Sequence, residues 1–311
     1  MRIETETEPK TIRRLQSNRK TQFKKKSEPY IYLLPTVILM IILLVIPIFM
    51  VIRYSFYDNV IINKNPEFVG LENFKEVLTN KSFLVAVKNT SIFVGGSLIL
   101  HMILGMTFAM VLNTKYLGTK TKAIFRVIFS LPWMFTAAVI AVLWKLLLSP
   151  NGFINFLLVE LNLTTSQIEW LASRDFALFS VTAINIWAGY PFFMISILAG
   201  LQGIQSELYE SAAIDGANSV QSFFHITIPQ LKPILISLIL LDFVWTIQQF
   251  ALIWMTTGGG PIDATEILST FIYKQGFSQY EYSMASTSAV ILLIICTIVA
   301  IFYVRHQRGS E

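Results

Sequence analysis

The sequence predicts an all-α membrane protein that crosses the bilayer six times. Three observations carry the prediction. Hydrophobic residues make up 54% of the 311 positions and charged residues 14%, where soluble domains carry roughly 25% charge. Six runs are apolar over about the 20 residues that a helix needs to cover a bilayer core. The charges lie almost wholly between those runs, with the basic excess on one side.

The runs cover 30–52, 90–112, 127–144, 176–204, 233–256 and 282–304. Each except the fifth, which holds Asp242, is free of Asp, Glu, Lys and Arg. Ahead of the first stands a basic segment, 1–29, with Arg13, Arg14, Arg19, Lys20, Lys24, Lys25 and Lys26. A basic tail before a span marks the cytoplasmic side, a better fit than nucleic-acid binding. It is also too long and too charged for a cleaved signal peptide. The connection 53–89 mixes signs and contains PEFVGLENFKEVL, 66–78, whose apolar spacing predicts a short helix on the membrane surface. After the second run, Lys115, Lys120, Lys122 and Arg126 stand without an acid, a cytoplasmic loop. The third run leads to SPNGFINFLL, 149–158, opened by a Pro-Asn-Gly turn. Both short outer segments read equally as docking surfaces or as caps on the bundle. Lys145 and Arg174 there face Glu160, Glu169 and Asp175. The fourth run exceeds a bilayer's need and contains Gly189, Pro191, Gly200 and Gly203, predicting tilt, a kink or an unwound end. Arg305 and Arg308 follow the sixth run, so both termini come out cytoplasmic.

Between the fourth and fifth runs lies ELYESAAIDGANSVQSFFHITIPQLKP, 207–233. Read as a helix, it aligns Tyr209, Ala212, Ala213, Gly216, Val220 and Phe223 on one side. Glu207 and Glu210 suit the positive end of the helix dipole. Asp215-Gly216 weakens or ends the first piece, and Pro229 and Pro233 are expected to break the second and start the next span. A helix resting on lipid would favour Lys and Arg. The acidic, small-residue composition fits a protein partner better.

This stretch resembles the cytoplasmic-loop signature of importer-type ABC permeases: Glu-Ala-Ala, three residues, Gly, nine residues, then Ile-x-Leu-Pro. Here Glu210-Ser211-Ala212, Gly216 and Ile226-Thr227-Ile228-Pro229 keep that spacing, with Ser211 and Ile228 as departures. FVGLENF (68–74), LPWMFTAAVIAVLWKLLLSPNGFIN (131–155), EWLAS (169–173) and TTGGGP (256–261) are similar to the carbohydrate branch, its maltose- or glycerol-phosphate-type first permease subunit. The resemblance implies a type I permease core over 90–306, preceded by an extra helix with its outer loop over 30–89. It implies a coupling helix over 207–224 in which Glu210, Ser211, Ala212, Asp215, Gly216, Ala217 and Phe223 contact an ATP-hydrolysing subunit. The implied partners are a second homologous permease, two ATP-binding cassette subunits that bind ATP and magnesium, and an extracellular solute-binding protein. This chain itself is expected to need no cofactor.

A carrier needs polar groups in a dry place. In LDFVWTIQQF, Asp242, Trp245 and Gln249 share one helical face, flanked by Thr246 and Gln248. An aromatic plane with amides and a carboxylate suits a sugar. The fourth run adds Asn185, Trp187 and Tyr190 beside Pro191. Gln248-Gln249 stand where the maltose-type subunit has an Asn-Asn pair. Asp242 reads equally as a sugar ligand or as a partner to a base on another subunit. Helix-to-helix bonding is the alternative for the whole set.

Other chemistries find little purchase. The lone Cys296 excludes an internal disulfide, and His101, His225 and His306 are too scattered in sequence for metal-ligand spacing. No GxxxxGK[ST] loop occurs, and no paired catalytic set stands out, so the chain is not expected to be an enzyme. An ion-coupled carrier would want more than one intramembrane charge. A glycerol-phosphate permease would want Arg or Lys inside the spans, and neither is there.

Overall fold

A computed structural model describes residues 30, 32–58, 60–114 and 116–308. The basic tail, 1–29, and Lys115 lie outside the described residues. The chain divides into two units, Met1–Tyr54 and Ser55–Glu311. Among the described residues, five helices are long and apolar enough to cross a membrane, or six if one bent pair counts as a span.

Among its described residues, the first unit holds one long apolar helix, α1 (Tyr32–Tyr54). It widens into a π-turn at Ile41–Val45, two residues before Pro47. A proline ring collides with the carbonyl four residues back and offers no N–H. A π-turn displaces that carbonyl and lets the helix continue.

In the second unit, α2 (Glu72–Thr79) leads through Asn80 into α3 (Lys81–Asn113). The Asn80 side chain accepts the Ser82 and Phe83 N–H groups and starts α3. The expected third span is instead two helices, α4 (Thr119–Met134) and α5 (Ala137–Leu147), bent by 98°. Phe135 and Thr136 are extended. Pro132 withholds an N–H near the end of α4, and Thr136 Oγ1 accepts the Val139 N–H to start α5. A short helix, α6 (Phe153–Glu160), follows.

The fourth span, α7 (Ala177–Gln202), runs unbroken through Pro191. Then come a short helix, α8 (Ser206–Ile214), and a long one, α9 (Ser219–Ile247). The expectation that Pro229 and Pro233 break the chain is therefore corrected. Phe223–Thr227 form a π-turn two residues before Pro229, the device already used before Pro47. The fifth span starts at Ser219 instead of 233 and stops at Ile247. After a break at 248–250 come α10 (Ala251–Thr256) and α11 (Leu268–Tyr273). The last helix is α12 (Tyr282–Arg308).

Three helices make the centre. Met106, Ala109 and Leu112 of α3 pack with Phe193, Met194 and Ile197 of α7 and with Leu231, Leu235 and Leu238 of α9. In lipid, close packing rather than water exclusion drives helix association, so small residues mark the crossings. A side chain on Gly105 would run into Phe193, and one on Gly200 into Leu231 and Ile234.

The two short helices α2 and α6 are tied down. Asn73 of α2 donates to the Ser55 and Tyr57 carbonyls, and Val77 is fully buried with Phe83, Ala86, Leu268 and Phe271. Asn155 of α6 donates to the Ser149 and Ile168 carbonyls and accepts from Ile168 N–H and Trp170 Nε1. These contacts are those of caps on the bundle.

Candidate functional site

A cavity of about 250 Å³ lies where α3, α7 and α9 meet the bent α4–α5 pair. Its wall includes His101, Asn185, Asp242, Trp245, Thr246 and Gln249, with Trp133 and Phe135 from the bend. Asp242 and Trp245 near the end of α9, Gln249 just beyond that end and Asn185 of α7 all line the cavity.

The polar groups form one connected network across three helices. Asp242 Oδ2 lies 2.8 Å from His101 Nδ1, and Thr246 Oγ1 donates to Asp242 Oδ1 at 3.2 Å. His101 Nε2 lies 3.1 Å from the Asn185 carbonyl. Asn185 Nδ2 donates to Ser97 Oγ at 2.9 Å, and its Oδ1 accepts from Gln249 Nε2 at 3.4 Å. His101 is 1% and Asp242 6% exposed, so the pair is shielded while still bordering the cavity. Gly189 makes room for the ring, since a side chain there would strike His101.

Aromatic rings stand beside this wall. Trp245 is 5.2 Å from Phe192, which is 5.9 Å from Trp133, centroid to centroid. Trp245 and Trp133 are each about half exposed. The site thus combines open ring faces with amide groups, the combination that binds a sugar's C–H face and its hydroxyls.

Three residues expected at the site lie elsewhere. Gln248 falls just past the last turn of α9, and its Nε2 donates to the Val244 carbonyl at 2.9 Å. That bond satisfies one of the orphan carbonyls at a helix end. Trp187 packs edge-on against Trp144, with centroids 5.4 Å apart. Tyr190 is buried against Phe108. In the other direction, sequence reasoning missed His101, Trp133 and Phe135. The signal for His101 was an ionisable residue inside an apolar run. Its partner Asp242 is 141 positions away, too far for spacing to reveal.

The second site is the corner between α8 and α9. The helix expected over 207–224 is two pieces. Gly216 adopts φ +83°. The Gly216 N–H reaches the Ala213 carbonyl and the Ala217 N–H the Ala212 carbonyl, a Schellman stop. Two residues later, Asn218 and Gln221 exchange side chain-to-backbone bonds and start α9. Tyr209 and Thr227 hydroxyls, 2.9 Å apart, fasten α8 to the base of α9. Glu210, Ser211, Asp215 and Gly216 are exposed, and Ala212 and Ala217 half-buried. Phe223 turns inward against the central core, whereas Ile214, Val220 and Phe224 are exposed, Ile214 by 87%. Of the residues expected along one side, Ala213, Gly216 and Val220 are exposed, whereas Tyr209, Ala212 and Phe223 are half-buried.

Residues 101–310 match a family described as binding-protein-dependent transport system inner membrane component. The chain is 31% identical over 290 residues to the probable ABC transporter permease protein YurN of Bacillus subtilis, spanning 93% of this chain and 99% of that one. It is 29% identical over 290 residues to the trehalose/maltose transport system permease protein MalF of Thermococcus litoralis, spanning 93% and 96%. Among solved structures, a chain of a bacterial alginate ABC transporter in complex with an alginate pentasaccharide-bound periplasmic protein is similar, with a TM-score of 0.80. At 23% identity over 93% of this chain and 97% of that one, the likeness is one of fold.

Proposed function

The chain belongs to the family of binding-protein-dependent transport system inner membrane components, and from that premise we propose that it is half of the membrane pathway of an ATP-driven sugar or oligosaccharide importer. The observation that carries the reading is the α8 corner. A short helix with an exposed Ile214 is held by a Schellman stop, a capping box and the Tyr209–Thr227 bond, so it can receive a partner as a rigid body. That partner is an ATP-hydrolysing subunit, one of two, and those subunits hold ATP and magnesium. The chain needs no cofactor of its own. Residues 90–306 are the permease core and 30–89 the added helix with its outer loop. Both termini face the cytoplasm, as does α8.

The solute is supported by the cavity and by a relative named for trehalose and maltose transport. Trp245 offers a ring face. Gln249 uses one amide hydrogen on Asn185 and keeps its other hydrogen and its carbonyl for hydroxyl groups. At about 250 Å³ the cavity falls below the roughly 300–1,000 Å³ of ordinary ligand pockets. A second, homologous permease completes it. A solute-binding protein delivers the sugar to the outer face. Closure of the ATP-bound subunits then moves α8 and tilts the two permeases as rigid bodies, turning the cavity from one side to the other. An ion-coupled carrier is the weaker reading, because Asp242 is committed to His101 and Thr246. Phosphate esters fit less well, since neither Lys nor Arg lines the cavity.

The test is uptake by proteoliposomes holding the four-subunit complex, its binding protein outside and ATP enclosed. Maltose, trehalose, maltotriose and glycerol 3-phosphate are the probes. Uptake of at least one sugar that needs ATP and survives collapse of ion gradients is the expected result. Uptake that follows a proton or sodium gradient without ATP would overturn it.

A further inference from the structure

The His101–Asp242 pair has a proton inventory that its geometry settles. A backbone carbonyl only accepts, so Nε2, facing the Asn185 carbonyl, carries hydrogen. Nδ1 faces a carboxylate oxygen at 2.8 Å. Either Nδ1 also carries hydrogen and Asp242 is ionised, or Asp242 carries the proton and donates it to Nδ1. In both arrangements the two side chains sum to zero charge. Asp242 Oδ1 is occupied by Thr246 and Oδ2 by His101, and the ring cannot shift toward α7 because it already fills the space over Gly189.

We propose that His101 and Asp242 act as one positioning unit that keeps the cavity wall electrically neutral and sets its specificity for uncharged saccharides. Asp242 does not bind the sugar. It holds His101, which through the Asn185 carbonyl fixes the segment of α7 carrying the amide that meets Gln249. This rests on the transport reading above, and it adds the charge class of the solute. For Asp242 it favours helix-to-helix bonding within the chain over a sugar ligand or a partner to a base on another subunit.

Removing one member of a buried pair leaves the other charge unpaired, whereas neutralising the acid while keeping its shape leaves the hydrogen bonds. The variants are therefore Asp242→Asn, His101→Leu and the double variant, in the assembled complex. The probes are the sugar that the wild-type complex takes up and its amino-sugar analogue, which carries a positive charge. Asp242→Asn is expected to keep uptake within about 3-fold of wild type, and His101→Leu to lose about 10-fold or more. The double variant recovers most of that loss. The ratio of cationic to neutral sugar uptake rises about 5-fold or more in His101→Leu only, drawn by the unpaired carboxylate. A merely structural role would not move that ratio. Loss of uptake in Asp242→Asn equal to that in His101→Leu overturns the proposal, as does a double variant no better than His101→Leu. If His101→Leu fails to assemble, Asp242→Asn decides: uptake within about 3-fold of wild type supports the proposal, and a loss of about 10-fold or more overturns it. If the wild-type complex takes up no sugar, the transport reading falls first. The pair is then judged by melting temperature, where a double variant less stable than His101→Leu overturns it and a more stable one supports it.

Discussion

Gly216 and Gln249 are the residues on which the two sites turn. At φ +83° Gly216 sits where a side chain costs about 1–2 kcal/mol, although a Cβ there meets nothing within 4 Å. Gly216→Val should therefore leave the chain inserted in the membrane but distort the α8 corner. ATP-dependent uptake should fall about 10-fold or more with normal membrane abundance. Full uptake by that variant would count against the corner's role. Within the cavity, Gln249→Ala should weaken uptake by about 10-fold, one hydrogen-bonded amide's worth, while Gln248→Ala should stay within about 2-fold. Measuring apparent KM for both separates them. Helical spacing in the sequence groups Asp242 with Trp245. It cannot separate Gln248 from Gln249, because both lie past the end of α9 at Ile247, where the irregular chain decides which side chain meets the cavity. Trp187 and Tyr190 were legible as aromatics near Pro191, but the partners that bury them, Trp144 and Phe108, come from other helices.

The elements were read best where composition alone decides them. Five spans, the short helix at 72–79 and the α8 segment all follow from apolar runs and their spacing. The bend between α4 and α5 did not, since an unbroken apolar run hides two extended residues, Phe135 and Thr136. The prolines misled in the opposite sense. Pro229 reads as a breaker, yet the π-turn at Phe223–Thr227 carries the helix past it. The π-turn at Lys274–Ser278 has no proline after it, so a proline does not mark such turns in the sequence. Asn155 illustrates a tie that the sequence conceals, one side chain holding four backbone and ring partners from 149 to 170. Asn155→Ala should lower the thermal stability of the outer segment. At about 1 kcal/mol per lost bond, and more for buried donors left unpaired, a loss of several degrees in melting temperature is expected. An unchanged melting curve would assign the 149–170 segment's order to its apolar contacts instead.

At the scale of the whole molecule, the cavity and the α8 corner belong to the same helix. Asp242, Thr246 and Trp245 lie near one end of α9, and the capping box at Asn218 starts the other. A push on α8 thus reaches the sugar-facing wall through a continuous helix, fastened at its base by Tyr209 and Thr227. That continuity is the physical content of coupling here, and it depends on Pro229 and Pro233 being accommodated within α9. The most direct measurement is site-specific crosslinking at Ile214. With Ile214→Cys in a Cys296→Ser background, the assembled complex should give a crosslink to an ATP-hydrolysing subunit in high yield, and the yield should change when ATP is bound. Crosslinks only to lipid or to a second permease, with none to a nucleotide-hydrolysing subunit, would contradict the account.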